Sequence, residues 1–274
     1  MAGGLFEYSA LVTKTRAMRS RLLRQEDFER IAEFQTVSET IGFLREQESY
    51  GKIYGGHEEI QHRGQVEALI YRSIREDYQK LYRFANARQR EAMDLYLGQI
   101  QFEEAVPRID AVYFERVWRE IEDISGKHMR KLLREVFGTQ IDWMNIMWCY
   151  RAKQFFHQGP QVIERMLIPI CYRLKQTEFR QLLLAEQIEE FRRILGNTVY
   201  FKGREALVRL QDEISYRKVM EKMYQRLCRK YPCSMAPVYY YFYKKEQEIQ
   251  NLTTALEGIR YQIPAQDIRE LILV

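Results

Sequence analysis

Pro237-Val238-Tyr239-Tyr240-Tyr241-Phe242-Tyr243-Lys244-Lys245-Glu246-Gln247-Glu248-Ile249-Gln250-Asn251-Leu252 is the stretch whose reading decides the fold. Phe242, Ile249, Leu252, Leu256 and Ile259 recur at helical spacing, so the stretch reads as a core helix with a solvated turn at Lys244-Lys245. A similar stretch stands mid-chain, Ile141-Asp142-Trp143-Met144-Asn145-Ile146-Met147-Trp148-Cys149-Tyr150-Arg151-Ala152-Lys153. A looser copy opens the chain, from Phe6-Glu7-Tyr8 through Leu11-Val12 to Arg16-Ala17-Met18-Arg19. Repetition of one helical unit makes extended surfaces rather than a single catalytic cleft. Function is therefore to be sought in assembly.

Composition agrees with an all-α fold. The 274 residues are 46% hydrophobic and 30% charged, enough for a sizeable core. There are 6 prolines, none before Pro107, and no sustained period-two alternation of β-branched residues. No apolar run approaches the roughly 18 residues that span a bilayer. Glu7 inside the first apolar segment, with no basic lead, argues against a signal peptide. A soluble chain made in the cytosol is expected, reaching a membrane only through a partner. Cys149, Cys171, Cys228 and Cys233 match no zinc spacing and are expected to be buried or half-buried free thiols. The net charge of +5 suits an acidic partner but also describes ordinary solvated helices.

Along the chain, a first helix is predicted over about Leu5–Leu23 and a second from Phe28 to Leu44. Ser49–His62, with Gly51, Gly55 and Gly56, reads as a loop. Helices follow with Val66, Leu69, Ile70, Ile74 and Leu81 inward, then over Ala87–Glu104. Asp110 is placed as an N-cap, Gly138 as a break, and Asp142 at the mouth of a helix buried on nearly every side. Residues 178–195 repeat 27–44 at an offset of 151, with Ile31 on Leu182, Val37 on Ile188 and Glu39 on Glu190. Helices over Glu205–Ile214 and Tyr216–Lys230 lead to a break at Tyr231-Pro232-Cys233-Ser234. Gly258 and Pro264 weaken and end the last long helix, and a short helix over Ala265–Leu273 finishes the chain. Three units result: 1–108, 109–203 and 204–274.

Reactive constellations are not legible. A phosphate-cradling loop needs glycines framed with Lys and Ser/Thr, and Gly55-Gly56-His57 lacks that sequel. His57 and His62 are five apart, which turns them off a common helix face, and His128 and His157 lack a third ligand. Tyr239–Tyr243 before Lys244-Lys245 is better read as core than as a base-stacking platform. No catalytic, cofactor-binding or metal residue is assigned, and no cofactor is expected.

Several of these residues nevertheless carry a resemblance. Asp142-Trp143-Met144-Asn145-Ile146 with Tyr150-Arg151-Ala152-Lys153, Leu167-Ile168-Pro169, and Lys245 to Leu252 with Glu257-Gly258 and Tyr261 resemble the C subunit of bacterial and archaeal V/A-type ATPases. The eukaryotic counterpart is the d subunit of the V-type ATPase. Asp110 with Tyr113-Phe114 resembles the start of that family's second unit. The resemblance covers nearly the whole chain and is strongest from Asp110 to Leu273. It implies a funnel of three helical subdomains about a pseudo-threefold axis. It also implies a non-catalytic role: joining the central coiled-coil stalk to the membrane rotor ring during proton or sodium transport, or ATP synthesis. Such a protein would be peripheral at the cytoplasmic face of a membrane, meeting the bilayer only through the ring, with no nucleic-acid partner. The chain is compact for that family, and its N-terminal unit matches less well. Asp142, Asn145, Arg151, Glu246 and Asn251 carry the family's motifs here as structural polar residues.

Two other readings stay open at this level. One is a helical interaction scaffold outside rotary ATPases. The other is a basic helical RNA-binding protein, whose binding would fall steeply with salt.

Overall fold

The computed structural model describes residues 2–54, 63–102, 108–201 and 212–272, which form helices and turns with no strand among them. In chain order these are α1 (Ala2–Arg19), α2 (Gln25–Ala32), α3 (Val37–Glu46), α4 (Gly51–Tyr54), α5 (Arg63–Tyr82), α6 (Ala87–Phe102) and α7 (Arg108–Asp123). There follow α8 (Lys127–Gln154), α9 (Pro160–Glu164), α10 (Gln176–Leu184), α11 (Ile188–Gly196), α12 (Asp212–Lys230), α13 (Ala236–Arg260) and α14 (Ala265–Leu271). The all-α expectation holds. Gly55, Gly56, His57, His62 and most of Glu205–Ile214 lie outside the described residues, as does the side chain of Asp110. The backbone of Asp110 is already helical within α7, so it is not the cap residue.

The helices gather into two compact units. One joins Met1–Asn86 to Pro237–Val274, and the other is Ala87–Ala236. In the first, α1 and α4 pack on α5, α3 packs on α4, and α2 packs on α14. In the second, α8 is the central element, with α7, α9, α11 and α12 against it and α10 against α11. Its core centres on Trp143, which is fully buried with Ile146, Leu182, Phe191, Leu195 and Phe201. The Trp143 ring lies 5.4 Å from Phe201 and 6.0 Å from Tyr200, edge-on to the latter. Trp148 and Met144, on the other side of α8, are only half-buried, and Phe155 is 60% exposed. From Glu135 to Tyr150 no residue of α8 is exposed and only Met144 and Trp148 are half-buried, so the helix is enclosed on nearly every side there, as expected.

The repeat is visible in the backbone. α10 begins 151 residues after α2 (Gln176 against Gln25), and α11 begins 151 after α3 (Ile188 against Val37). Each pair starts with the same local chemistry. The N–H of Arg24 donates to Asp27 Oδ2 at 2.7 Å, and that of Lys175 donates to Glu178 Oε2 at 2.9 Å. Before the second helix, Gln35 N–H donates to Glu39 Oε2 at 2.9 Å and Glu186 N–H to Glu190 Oε2 at 3.3 Å. Carboxylates reaching back over a first turn satisfy free amides and favour the positive end of the helix dipole. Ile31 and Leu182 are both fully buried, as are Leu44 and Leu195. These start signals split what periodicity alone reads as one helix over 28–44, and likewise over 178–195. In the first copy Thr36 reinforces the split by accepting Glu39 N–H on its hydroxyl at 3.2 Å.

Two further sequence expectations are corrected. α8 runs through Gly138 without a break. A Cβ there would lie 2.4 Å from the Tyr172 ring, so the glycine admits an aromatic rather than ending a helix. α13 also runs past Gly258 and ends at Arg260, ahead of Pro264, as expected. The segment read as a loop from Ser49 holds the short helix α4, because Tyr50 and Tyr54 are fully buried and fold their backbone inward.

Candidate functional site

α8 carries a buried carboxylate at Asp142, 1% exposed, in mid-helix rather than at its mouth. Its Oδ1 accepts the N–H of Tyr172 at 2.9 Å. Its Oδ2 accepts the N–H groups of Arg173 at 2.7 Å and Leu174 at 3.0 Å, and the Tyr200 hydroxyl at 2.6 Å. Three consecutive amides and a phenol thus surround one charge, which satisfies a group otherwise costly to bury. One turn along, Asn145 donates from Nδ2 to Ile168 O at 2.8 Å and accepts Ile168 N–H on Oδ1 at 2.9 Å. Asp142 and Asn145 together fasten the segment between α9 and α10 along α8.

α13 repeats the device in the other unit. Glu248, 4% exposed, accepts Leu23 N–H on Oε2 at 2.5 Å and the Tyr50 hydroxyl on Oε1 at 2.7 Å. Leu23 stands two residues before α2, as Leu174 stands two before α10. Tyr50 follows the end of α3 by four residues, as Tyr200 follows α11. α13 trails α8 by 106 residues, which puts Glu248 over Asp142, Asn251 over Asn145, and the helix ends Arg260 and Gln154 together. Asn251 is buried, 4% exposed.

The two carboxylates are neutralised differently. Asp142 relies on amide dipoles and a phenol. Glu248 has a cation: Lys245, fully buried, donates from Nζ to Glu248 Oε1 at 2.6 Å and to the Tyr50 hydroxyl at 2.9 Å. The ammonium also lies 4.1 Å from the centre of the Tyr50 ring, a favourable cation–π distance. Lys245 is therefore not in a solvated turn. Position 245 minus the same spacing is Thr139, 2% exposed, so the second unit has a neutral hydroxyl residue where the first has a charge.

Burial raises the phenols of Tyr50 and Tyr200 well above their usual range, and the adjoining Glu248 and Asp142 raise them further. Both stay protonated donors. A third phenol, Tyr241, donates to Asp77 Oδ2 at 2.6 Å and ties α13 to α5; burial and then Asp77 raise it in the same way. These groups hold backbone and one another. Their acceptors are filled and their surroundings closed, which is the arrangement of a structural lock and not of an accessible acid, base or nucleophile.

Of the residues singled out from sequence, Asp142, Asn145 and Asn251 are buried as expected. Arg151 is exposed. Glu246 is half-buried, and the carboxylate that makes the lock is Glu248, three residues from Asn251 as Asp142 is from Asn145. Lys245 was hidden by its place beside Lys244; its spacing from Glu248, one helical turn, was the available signal. His128 and His157 are exposed, and among the described residues no group of three or more His, Cys, Asp or Glu side chains could hold a metal. None of the four cysteines forms a disulfide. Burial pushes the Cys149 thiol up to about 12, which leaves it unreactive. Cys171 departs from expectation in being exposed, because the Asp142-bound backbone of 172–174 turns inward just beyond it. No helix among the described residues is long and apolar enough to cross a membrane.

Comparison with known proteins gives the lock a context. The sequence pattern of the ATP synthase (C/AC39) subunit family matches residues 11–106 and 104–271. The C subunit of the A-type ATP synthase from Archaeoglobus fulgidus is 26% identical over 176 residues, 62% of this chain and 50% of the relative. The protein of the same name from Thermococcus gammatolerans is 28% identical over 181 residues, 65% of this chain and 49% of the relative. The matched stretch thus spans about half the length of these curated relatives. Because the family's pattern extends over both compact units and both copies of the lock, the chain belongs to the ATP synthase (C/AC39) subunit family.

Proposed function

We propose that the chain is a non-catalytic coupling subunit of a V/A-type rotary ATPase, linking the central coiled-coil stalk to the membrane rotor ring. The observation that carries this reading is the family match over residues 11–106 and 104–271. Supporting it is a fold in which the buried polar groups hold helices together. A coupling element must pass torque without yielding. Each lock secures the chain before a helical pair to a long helix through hydrogen bonds to a charge, worth roughly 1.5–3 kcal/mol apiece. Repeating the lock stiffens each unit where a loop-held domain would shear. ATP chemistry and the ion path would lie in other subunits.

In this reading the chain sits at the cytoplasmic face, peripheral, with membrane contact only through the ring. The division into units 1–108, 109–203 and 204–274, arranged as a funnel with pseudo-threefold symmetry, is part of the same proposal. The duplicated helical pair supports the principle of repetition. The test is affinity purification of the tagged chain from gently solubilised membranes of its source. Stalk and ring proteins should be recovered with it in fixed proportion; their absence while the complex itself stays intact would overturn the reading.

A further inference from the structure

One concentration of positive charge lies on α12. Between Tyr216 and Lys230 stand six of the 43 basic residues, Arg217, Lys218, Lys222, Arg226, Arg229 and Lys230, and one of the 38 acidic residues, Glu221. The excess in this stretch is +5, matched by a second run over residues 8–25, where Lys14, Arg16, Arg19, Arg21 and Arg24 stand with no acidic residue. The charges are ordered on α12. Met220, Met223, Tyr224 and Leu227 are buried on one face, while Lys218, Lys222, Gln225, Arg226 and Arg229 are exposed on the opposite one. At 1.5 Å per residue the basic stripe from Lys218 to Arg229 runs about 16 Å, three turns of helix.

Beside this stripe lies a half-open cleft of about 540 Å³, to which α12 contributes Lys222, Arg226 and Arg229. Arg173 enters from the facing segment. It is held from beneath: its N–H is bound by Asp142, and its guanidinium donates to Glu135 Oε1 at 2.8 Å. Arg226 donates to the same Glu135 oxygen. One nearly buried carboxylate thus orients two guanidinium forks, and each fork has further N–H groups to offer. The cleft also has apolar lining, Val219 and Met223, with Val199 56% exposed at its edge.

We propose that this cleft and the basic face of α12 dock an acidic amphipathic helix of a partner protein. Its carboxylates would meet Arg173, Lys222, Arg226 and Arg229, and its apolar side would cover Val199 and Val219. The proposal rests on reading the chain as a subunit that works by docking. Charge complementarity and the mixed lining select the occupant. The cleft is far larger than a single phosphate. RNA binding of this kind uses stacked aromatics, and the aromatic among the described lining residues, Tyr200, is 8% exposed with its hydroxyl on Asp142. A bilayer surface is flat where this site is concave. Because Asp142 fastens the segment that carries Arg173, the buried lock also presets the docking site, which lowers the ordering cost of binding.

The test uses the full chain and a synthetic helical peptide of about five turns with glutamates along one face and leucines beside them. Binding is followed by fluorescence anisotropy at rising salt. The comparators are the same peptide with lysine for glutamate, polyuridylic acid, and phosphatidylglycerol vesicles. Lys222→Glu with Arg229→Glu reverses two exposed charges and leaves Arg226 on Glu135. Arg165→Glu, exposed at the end of α9, is the control. The proposal predicts that the acidic peptide binds and that salt weakens it. The double reversal should weaken it about tenfold or more, from loss of attraction and added repulsion. Arg165→Glu should leave it unchanged, and Lys222→Gln with Arg229→Gln should give a smaller loss in the same direction. No binding by the parent chain, equal binding by the double variant, or tighter binding of RNA or vesicles through the same two residues would each overturn it. None of these results depends on whether stalk and ring proteins co-purify, so the two proposals fail separately.

Discussion

Asp142 and Glu248 occupy the same position in the two units: each is a buried carboxylate on a long helix that takes the backbone N–H two residues before a repeated helical pair, from Leu174 and Leu23 respectively. Each also takes a tyrosine hydroxyl from beyond that pair, Tyr200 and Tyr50. One carboxylate per unit therefore anchors both ends of the module.

Replacing Asp142 by Ala strands three amides and a phenol in a closed site. The expected cost is about 3 kcal/mol or more, since each unmade buried hydrogen bond forfeits its desolvation. Urea unfolding of parent and variant measures it. A loss within experimental error would mean the lock contributes nothing to stability.

Lys245 and Glu248 should be strongly coupled. Lys245→Met and Glu248→Gln each leave an uncompensated buried group, for which about 3–5 kcal/mol is typical. The double variant should cost clearly less than the two singles added. A double-mutant cycle by chemical denaturation reads this directly, and simple additivity would contradict the ion pair.

Alkali should loosen the fold through the buried phenols. The folded chain holds Tyr50, Tyr200 and Tyr241 protonated more tightly than the unfolded chain does. Their contribution is therefore full below the ordinary value near 10 and is lost as pH rises above it. The melting temperature should fall through that range while tyrosinate absorbance appears together with unfolding. Tyr200→Phe should flatten the fall. Tyrosinate forming fully before any unfolding would show that these hydroxyls are not locked.

Two helical glycines should respond oppositely to alanine. At Gly138 a Cβ would sit 2.4 Å from the Tyr172 ring, so Gly138→Ala should destabilise, by about 1–3 kcal/mol as for other overpacked sites. At Gly42, in α3, nothing lies within 4 Å, so Gly42→Ala should stabilise by about 0.5–1 kcal/mol. Thermal melts of both variants decide it; the same sign for both would reject the geometry.

Much of this was legible in the sequence because helical periodicity and the 151-residue repeat are local patterns. Ile31 against Leu182, Val37 against Ile188 and Glu39 against Glu190 align in the structure as they do in the chain. What was not legible depends on distant neighbours. Gly138 looks like a stop until Tyr172 is found beside it. Lys245 looks solvated until Tyr50, 195 residues away, closes over it. The 106-residue repeat is faint in the chain because Asp142 and Glu248 differ in length, and of the lock positions on these helices only Asn145 and Asn251 are identical. The split between α2 and α3 shows in Thr36 and Glu39, which are start signals that an unbroken apolar stripe overrides on inspection.

The most direct test of the coupling role is to assay ATP hydrolysis and ion transport side by side on membranes lacking this chain. The account predicts that the catalytic head still hydrolyses ATP while ATP-driven pumping fails, and that restoring the chain restores pumping. Phe242→Ala, at a position 1% exposed, should give a milder form of the same defect, since the cavity costs about 3–5 kcal/mol and softens the unit. Undiminished ATP-driven pumping in membranes without the chain would contradict the account.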